Sequence, residues 1–383
     1  MPKQLLIIPQ AILITISCLK PQPVSEAAVV RDYSLLVHAS YLQARKDAQA
    51  MQKSVSDFLA APGDAGLKSA RDSWIKARVS YSQTEAFRFY GGPIDRPKSQ
   101  GKEEGPEALL NSWPVNESYI DYVKGNPGAG IINDPRIQIN ATTLTGKNQQ
   151  KDEADVATGF HAIEFLLWGQ DFNPAGPGDR PVSDYTTKSN HERRKQYLRV
   201  TTDMVVTQLR SLEEDWAPGK ENNYAAEFQK LNSKVALGHI LTGLVTLAGF
   251  ELASERTATA LKSGDQEDEQ SCFSDNTHND FINNIQGILN VYEGRVGDYS
   301  GIGLDAWIKS ASPEMADQIL EALRSTKDKA ISLPVPVDSI LASPKNSDSR
   351  QKLESLSHAL AQDAKLFQKA GILLGVDARL IAE

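Results

Sequence analysis

The chain has 383 residues, 40% hydrophobic and 23% charged, a balance that excludes a disordered or fibrous chain and a length too great for one small core. Its net charge of −8, with no Lys/Arg cluster, excludes a nucleic-acid surface. The two cysteines, Cys18 and Cys272, form no Cys-x-x-Cys pair, which excludes a zinc-finger or thioredoxin-like site.

Lys3 and the apolar run from Leu5 to Ile16 read as a secretion signal, because the run is too short for a comfortable membrane span. Ser25-Glu26-Ala27 before Ala28 has the form of a cleavage site, so residues 1–27 are assigned to the signal. The mature chain is then exported to the periplasm or cell envelope. Ile16-Ser17-Cys18 resembles the end of a lipobox, with Thr15 where leucine is usual. Lipid anchoring through Cys18 is the alternative and would be the chain's sole tie to a membrane.

From about Arg31 to Ala61 apolar residues recur at threes and fours, which predicts a helix. Pro62-Gly63-Asp64 ends it, and Asp64 suits the N-cap of the next. That second helix, about Ala65 to Phe89, carries the stripe Leu67, Arg71, Trp74, Arg78, Tyr81, Glu85. Glu85 lies at its C-terminal end, where the macrodipole disfavours a carboxylate. It therefore asks for a cation, either a metal ion or an arginine such as Arg88. After the turn-rich stretch Gly91 to Pro97, which contains Asp95, residues 98–151 read as mainly irregular. Short helices are expected near Glu107–Asn111 and Ser118–Lys124. A loop this long in a compact domain is usually functional or shields something.

Gly159 to Gly169 reads as a short helix, apolar almost all round. His161 and Glu164 are three residues apart and share one of its faces. Burying both costs several kcal/mol unless each is paired, hydrogen-bonded or bound to a cation. They either satisfy each other in a core or belong to a metal or catalytic site.

Asp171 to Asn190, with Pro174, Gly176, Pro177, Gly178 and Pro181, reads as a linker. It separates a first domain (28–170) from a second (191–383). The second opens with a helix from about His191 to Trp216. A later helix between Glu227 and Lys262 carries Leu237, Leu241, Leu244, Ala248, Glu251 and Glu255, followed by Arg256. Like the helix ending at Glu85, its apolar stripe runs into a carboxylate with an arginine within about a turn. That repeat suggests two similar bundles with both carboxylates on a shared cleft. Ser271 to Asp280 leads into a further helix, for which Ser274 or Asp275 is a ready N-cap. Asp275 and His278 are alternatively site ligands. Helices over 304–331 and 349–373 complete the chain.

Gly159-x-His161-x-x-Glu164, QTEAFRFYGGPID at 83–95, Gly249 to Arg256, and SCFSDNTH at 271–278 resemble the imelysin family, from about residue 31 to 373. The resemblance implies an all-α fold of two helical-bundle domains related by internal duplication. A long irregular segment lies in the first half and the motif lies at the domain interface. It also implies an exported protein, linked to iron uptake or assigned as a metallopeptidase.

Imidazole with carboxylate suits iron, or alternatively zinc. The expected function is metal binding in the envelope for iron acquisition, with another envelope iron-uptake component as partner. His161 and Glu164 are the first ligands, and Glu85 and Glu251 complete the set. Asp95, Asp275 and His278 come next, with Glu255 and Arg256 beside them. A metallopeptidase is the alternative, with Glu164 drawn between ligand and general base. It needs three protein ligands and an open position for water. Here there is no His-Glu-x-x-His, and none of the 6 histidines has another four residues away. A di-iron bundle needs Glu-x-x-His on two helices, whereas this motif is reversed and single. A structural or interaction protein with a self-satisfied buried His–Glu pair is the remaining class.

Overall fold

A computed structural model describes residues 24–98, 104–173 and 175–381. Cys18 and most of the segment read as a signal lie outside them, and the expected cleavage site falls on the first turn of the first helix. The principal helices are α1 (Glu26–Ala60), α2 (Asp64–Thr84), α3 (Gly159–Trp168), α4 (His191–Asp215) and α5 (Ser233–Thr246). They are followed by α6 (Thr277–Glu293), α7 (Leu304–Ala311), α8 (Pro313–Ile331) and α9 (Asp348–Leu374). Among the described residues, strand is confined to a hairpin pairing Arg295–Val296 with Tyr299–Ser300. The fold is all-α.

α1 buries one long stripe, including Tyr33, Val37, Tyr41, Ala44, Ala48, Met51, Val55 and Phe58. α2 and α4 cover it, and α3 is packed between α2 and α4. α4 was expected to open the second unit. It lies along α1 and α3 instead, because its apolar face (Tyr197, Leu198, Val205, Leu209) is buried there. The Pro/Gly stretch 171–190 therefore links two helices of one bundle. The second bundle is built on α5, which continues without a break through a π-helical stretch, Leu247–Ala258, to Ser263. By length and mean hydropathy of 1.6 this helix could cross a membrane, yet 72% of its most apolar window is buried inside the protein. It is a core helix. α9 packs along its π-helical part, and α8 packs on α9. The bundles meet where α6 lies against α2.

Two boundaries move for local reasons. Helical structure at the end of α2 tightens into a 3-10 turn at Glu85–Phe87. The span 304–331 splits at Ser312-Pro313, where the Ser312 side chain caps α8 by accepting from the Met315 amide.

Candidate functional site

α3 starts at Gly159 because the backbone there requires a glycine. Its φ is +88°, and a Cβ would stand 2.6 Å from the Leu110 carbonyl oxygen. Every residue of α3 is buried. The Trp74 indole donates to the Phe160 carbonyl at 2.9 Å, and Tyr197 donates to the Ala157 carbonyl at 2.8 Å. The helix is thus fixed by neighbours on both sides, which sets His161 and Glu164 in place.

His161 Nδ1 and Glu164 Oε2 are 2.8 Å apart. The other oxygen of Glu164 accepts from the Ser274 amide at 3.0 Å and the Ser274 hydroxyl at 2.7 Å. The sequence offers Ser274 or Asp275 as the cap of α6. α6 is instead preceded by Asn276 without a side-chain cap, and Ser274 anchors its loop to the first bundle. His161 Nε2 is buried with no hydrogen-bond partner. Burial, aided by the positive charges of Arg78 and Arg256, pushes the imidazole well below its usual range, so the ring is neutral. Burial raises the Glu164 carboxyl to about 8, against the hydrogen bonds from Ser274.

Two guanidinium networks flank this pair. Arg78, fully buried on α2, donates to Asp280 Oδ1 at 3.0 and 3.2 Å and to Asn111 at 2.5 Å. Ser82 and Ser271 donate to the same Asp280 carboxylate. Arg256 donates to Glu251 at 2.6 and 2.9 Å, to Glu85 at 2.5 Å and to Gln270 at 2.9 Å. Burial works against the charge on Glu251, but Arg256 and Arg88 outweigh it and hold the carboxyl below its usual range. The second oxygen of Glu85 is buried without a partner. A polar cleft of about 510 Å³ opens beside this network, lined by Arg88, Glu107, Asn111, Glu153, Glu251 and Glu255 among others. A more apolar cavity of about 560 Å³, lined by Tyr90, His239, Thr242 and Val376 among others, shares no residue with it.

The expected residues therefore fall into separate groups. His161 and Glu164 meet each other and Ser274, while Glu85 and Glu251 meet on Arg256. Glu255 lines the cleft. Asp95 accepts from the amide of Phe89, whose φ is +71°, and so holds the turn beyond Glu85. Asp275 and His278 stand at the start of α6, and burial lowers the His278 imidazole. Among the described residues, one set of three His, Cys, Asp or Glu ligand atoms lies within 4.8 Å of one another, and it is Asp171, Asp275 and Asp338.

Sequence reasoning missed Arg78, Asp280, Asn111 and Gln270 as parts of the site. Arg78 carried a signal, since it stands on an aromatic stripe between Trp74 and Tyr81. Asn111 and Gln270 carried none.

Comparison with known proteins places this geometry among relatives. A model of the imelysin (peptidase M75) family matches residues 37–367. The chain is 24% identical to iron-regulated protein A of Synechococcus elongatus over 322 residues, 81% of this chain and 76% of that protein. It resembles in fold the crystal structure of an iron-regulated protein A precursor from Parabacteroides distasonis, with TM-score 0.69 and 17% identity over 91% of this chain and 96% of that one. An imelysin-like protein from Psychrobacter arcticus matches with TM-score 0.62 and 15% identity, over 93% and 98% of the two chains.

Proposed function

Because the chain belongs to the imelysin family, we propose that it is an exported iron-binding protein of the cell envelope, taking its metal at the seam of the two bundles with His161 as a ligand. One observation carries this reading: His161 Nε2 is buried, has no partner, and sits on a neutral ring. Its Nδ1 faces the Glu164 carboxyl at 2.8 Å; with that carboxyl ionised on metal binding, this is the arrangement by which an outer carboxylate fixes the tautomer of a metal-binding histidine. Glu164 then acts as a positioning residue. Both its oxygens are engaged, one by His161 and the other by Ser274.

Glu85 and Glu251 supply the harder donors. Both are held by Arg256, so loading exchanges the guanidinium for the metal ion and moves Arg256 aside. Imidazole with carboxylate suits iron and zinc alike. Iron is favoured by the names of the relatives, two of which are iron-regulated A proteins. Such a protein hands its metal to another iron-uptake component of the envelope.

A second reading has its own support. The bond from Ser274 to Glu164 ties the second-bundle loop to α3, and a buried His–Glu pair used only as a tether would look the same.

The test is iron and zinc content of the full chain purified without chelators, alongside His161→Ala and Glu164→Gln. Near-stoichiometric metal, lost in His161→Ala and held about 10–100-fold more weakly in Glu164→Gln, supports the proposal. Wild-type protein that takes up neither ion, with His161→Ala lowering stability alone, leaves the tether. A peptide-cleavage assay on the same loaded samples separates a carrier from a peptidase.

A further inference from the structure

Among the described residues two buried carboxylate clusters are neutralised by arginine, and a third, partly buried, is not. Asp121 and Asp184 share Arg180, and Arg194 also binds Asp121. Glu85 and Glu251 share Arg256. The third is Asp171, Asp275 and Asp338, and no arginine or lysine is bound to it.

Its geometry is that of a cation cage. One oxygen from each of the three lies within 4.8 Å of the others. Two oxygens that bind one calcium ion at about 2.4 Å are at most about 4.8 Å apart. Both oxygens of Asp338, one of Asp171 and one of Asp275 are buried with no hydrogen-bond donor. A fourth carboxylate points the same way. Glu269 is only 2% exposed, has the Thr277 hydroxyl but no cation beside it, and Asp338 is the neighbouring charge that acts on it most strongly. The Asn173 amide donates to Asp171 Oδ1 at 2.8 Å, but hydrogen bonds supply no counter-charge, and largely buried carboxylates grouped without one are costly.

We infer that Asp171, Asp275, Asp338 and Glu269 form a calcium site, separate from His161. An all-oxygen donor set of this charge suits a hard cation. Asp275 is only partly buried, which leaves a path in from solvent and room for water ligands. The site joins three distant segments. Asp171 follows α3, Asp338 lies on the helical turn Val337–Leu341 packed on α9, and Asp275 is the residue next to Ser274. A bound ion therefore pins the loop whose serine holds Glu164.

The experiment uses the full chain stripped with chelator and then titrated with Ca²⁺ alone, followed by calorimetry and thermal melting. One calcium binds, and at about 100 times its dissociation constant the melting temperature rises by roughly 3–8 °C. Asp338→Asn and Asp171→Asn each weaken calcium binding at least about 30-fold. In chelator, Asp338→Asn melts no lower than wild type, because it removes a like charge, whereas a residue needed only for packing would melt lower. His161→Ala leaves the calcium response unchanged, so the two sites fail independently. No heat and no change in melting up to about 10 mM Ca²⁺, beyond the range of the weakest calcium modules, would overturn the inference. So would iron, rather than calcium, binding at these carboxylates.

Discussion

Gly159 and Ser274 carry the motif's geometry without touching a ligand. At Gly159 an added Cβ would meet the Leu110 carbonyl at 2.6 Å, on a backbone with φ of +88°, which only glycine adopts freely. Gly159→Ala is expected to cost roughly 3 kcal/mol from strain and overlap together. It should appear as a lower urea midpoint at unchanged slope, and an unchanged midpoint would remove the steric account. Ser274→Ala deletes a 2.7 Å bond to a fully buried carboxylate and leaves only the 3.0 Å amide bond. A loss of about 2 kcal/mol follows, measured by the same unfolding curves, with Ser274→Thr losing less because it keeps the hydroxyl. The glycine's role was legible in the sequence only as a motif letter. The serine's partner was not legible, since it lies in the other bundle.

At the scale of the element, the π-helical stretch Leu247–Ala258 decides where the charges go. Residues five apart on an α-helix point about 140° away from each other. In the wider π turn, Glu251 and Arg256 stand on one side and bond at 2.6 and 2.9 Å. The α-helical stripe read from the sequence placed Glu251 with Glu255, and both do line the cleft; what it did not show is that Arg256 joins Glu251 on that side. π turns concentrate at functional sites, and this one aims a guanidinium at Glu85 of the first bundle. Arg256→Ala leaves Glu85 and Glu251 with only the more distant Arg88 as cation and should cost about 3–5 kcal/mol. The triple variant Glu85→Gln, Glu251→Gln, Arg256→Met should recover most of that loss in chemical denaturation. If Arg256→Ala unfolds within about 1 kcal/mol of wild type, the network does not hold the bundles together.

For the whole molecule, pH acts through a buried acid remote from the His161 site. Asp363 on α9 is buried against Thr326 on α8, and burial pushes its carboxyl up to about 7. The folded protein thus holds this proton longer than the unfolded chain, whose carboxyl titrates near 3.9. The contribution is fully favourable below about pH 4 and is lost as pH rises to about 7. Asp363→Asn should therefore stabilise the protein by about 2–4 kcal/mol at pH 8 and change little at pH 4. Melting curves across that range check it, and an equal effect at both pH values would refute the titration account.

The all-α class was determined by the sequence, because helix periodicity is a relation among residues three and four apart and needs no distant partner. For the same reason, His161 and Glu164 were identifiable as groups needing partners. What surrounds them was decided in tertiary structure: Ser274, from a loop of the second bundle, donates to Glu164, and burial together with the charges of Arg78 and Arg256, from two further helices, keeps His161 neutral. Placing α4 in the first bundle was likewise a tertiary decision, since an amphipathic helix states that it needs a partner without stating which. Asp171, Asp275 and Asp338 carry no shared pattern along the chain. They converge because α3, the loop before α6 and the turn packed on α9 pack together, and only that packing brings their unneutralised charges into one place.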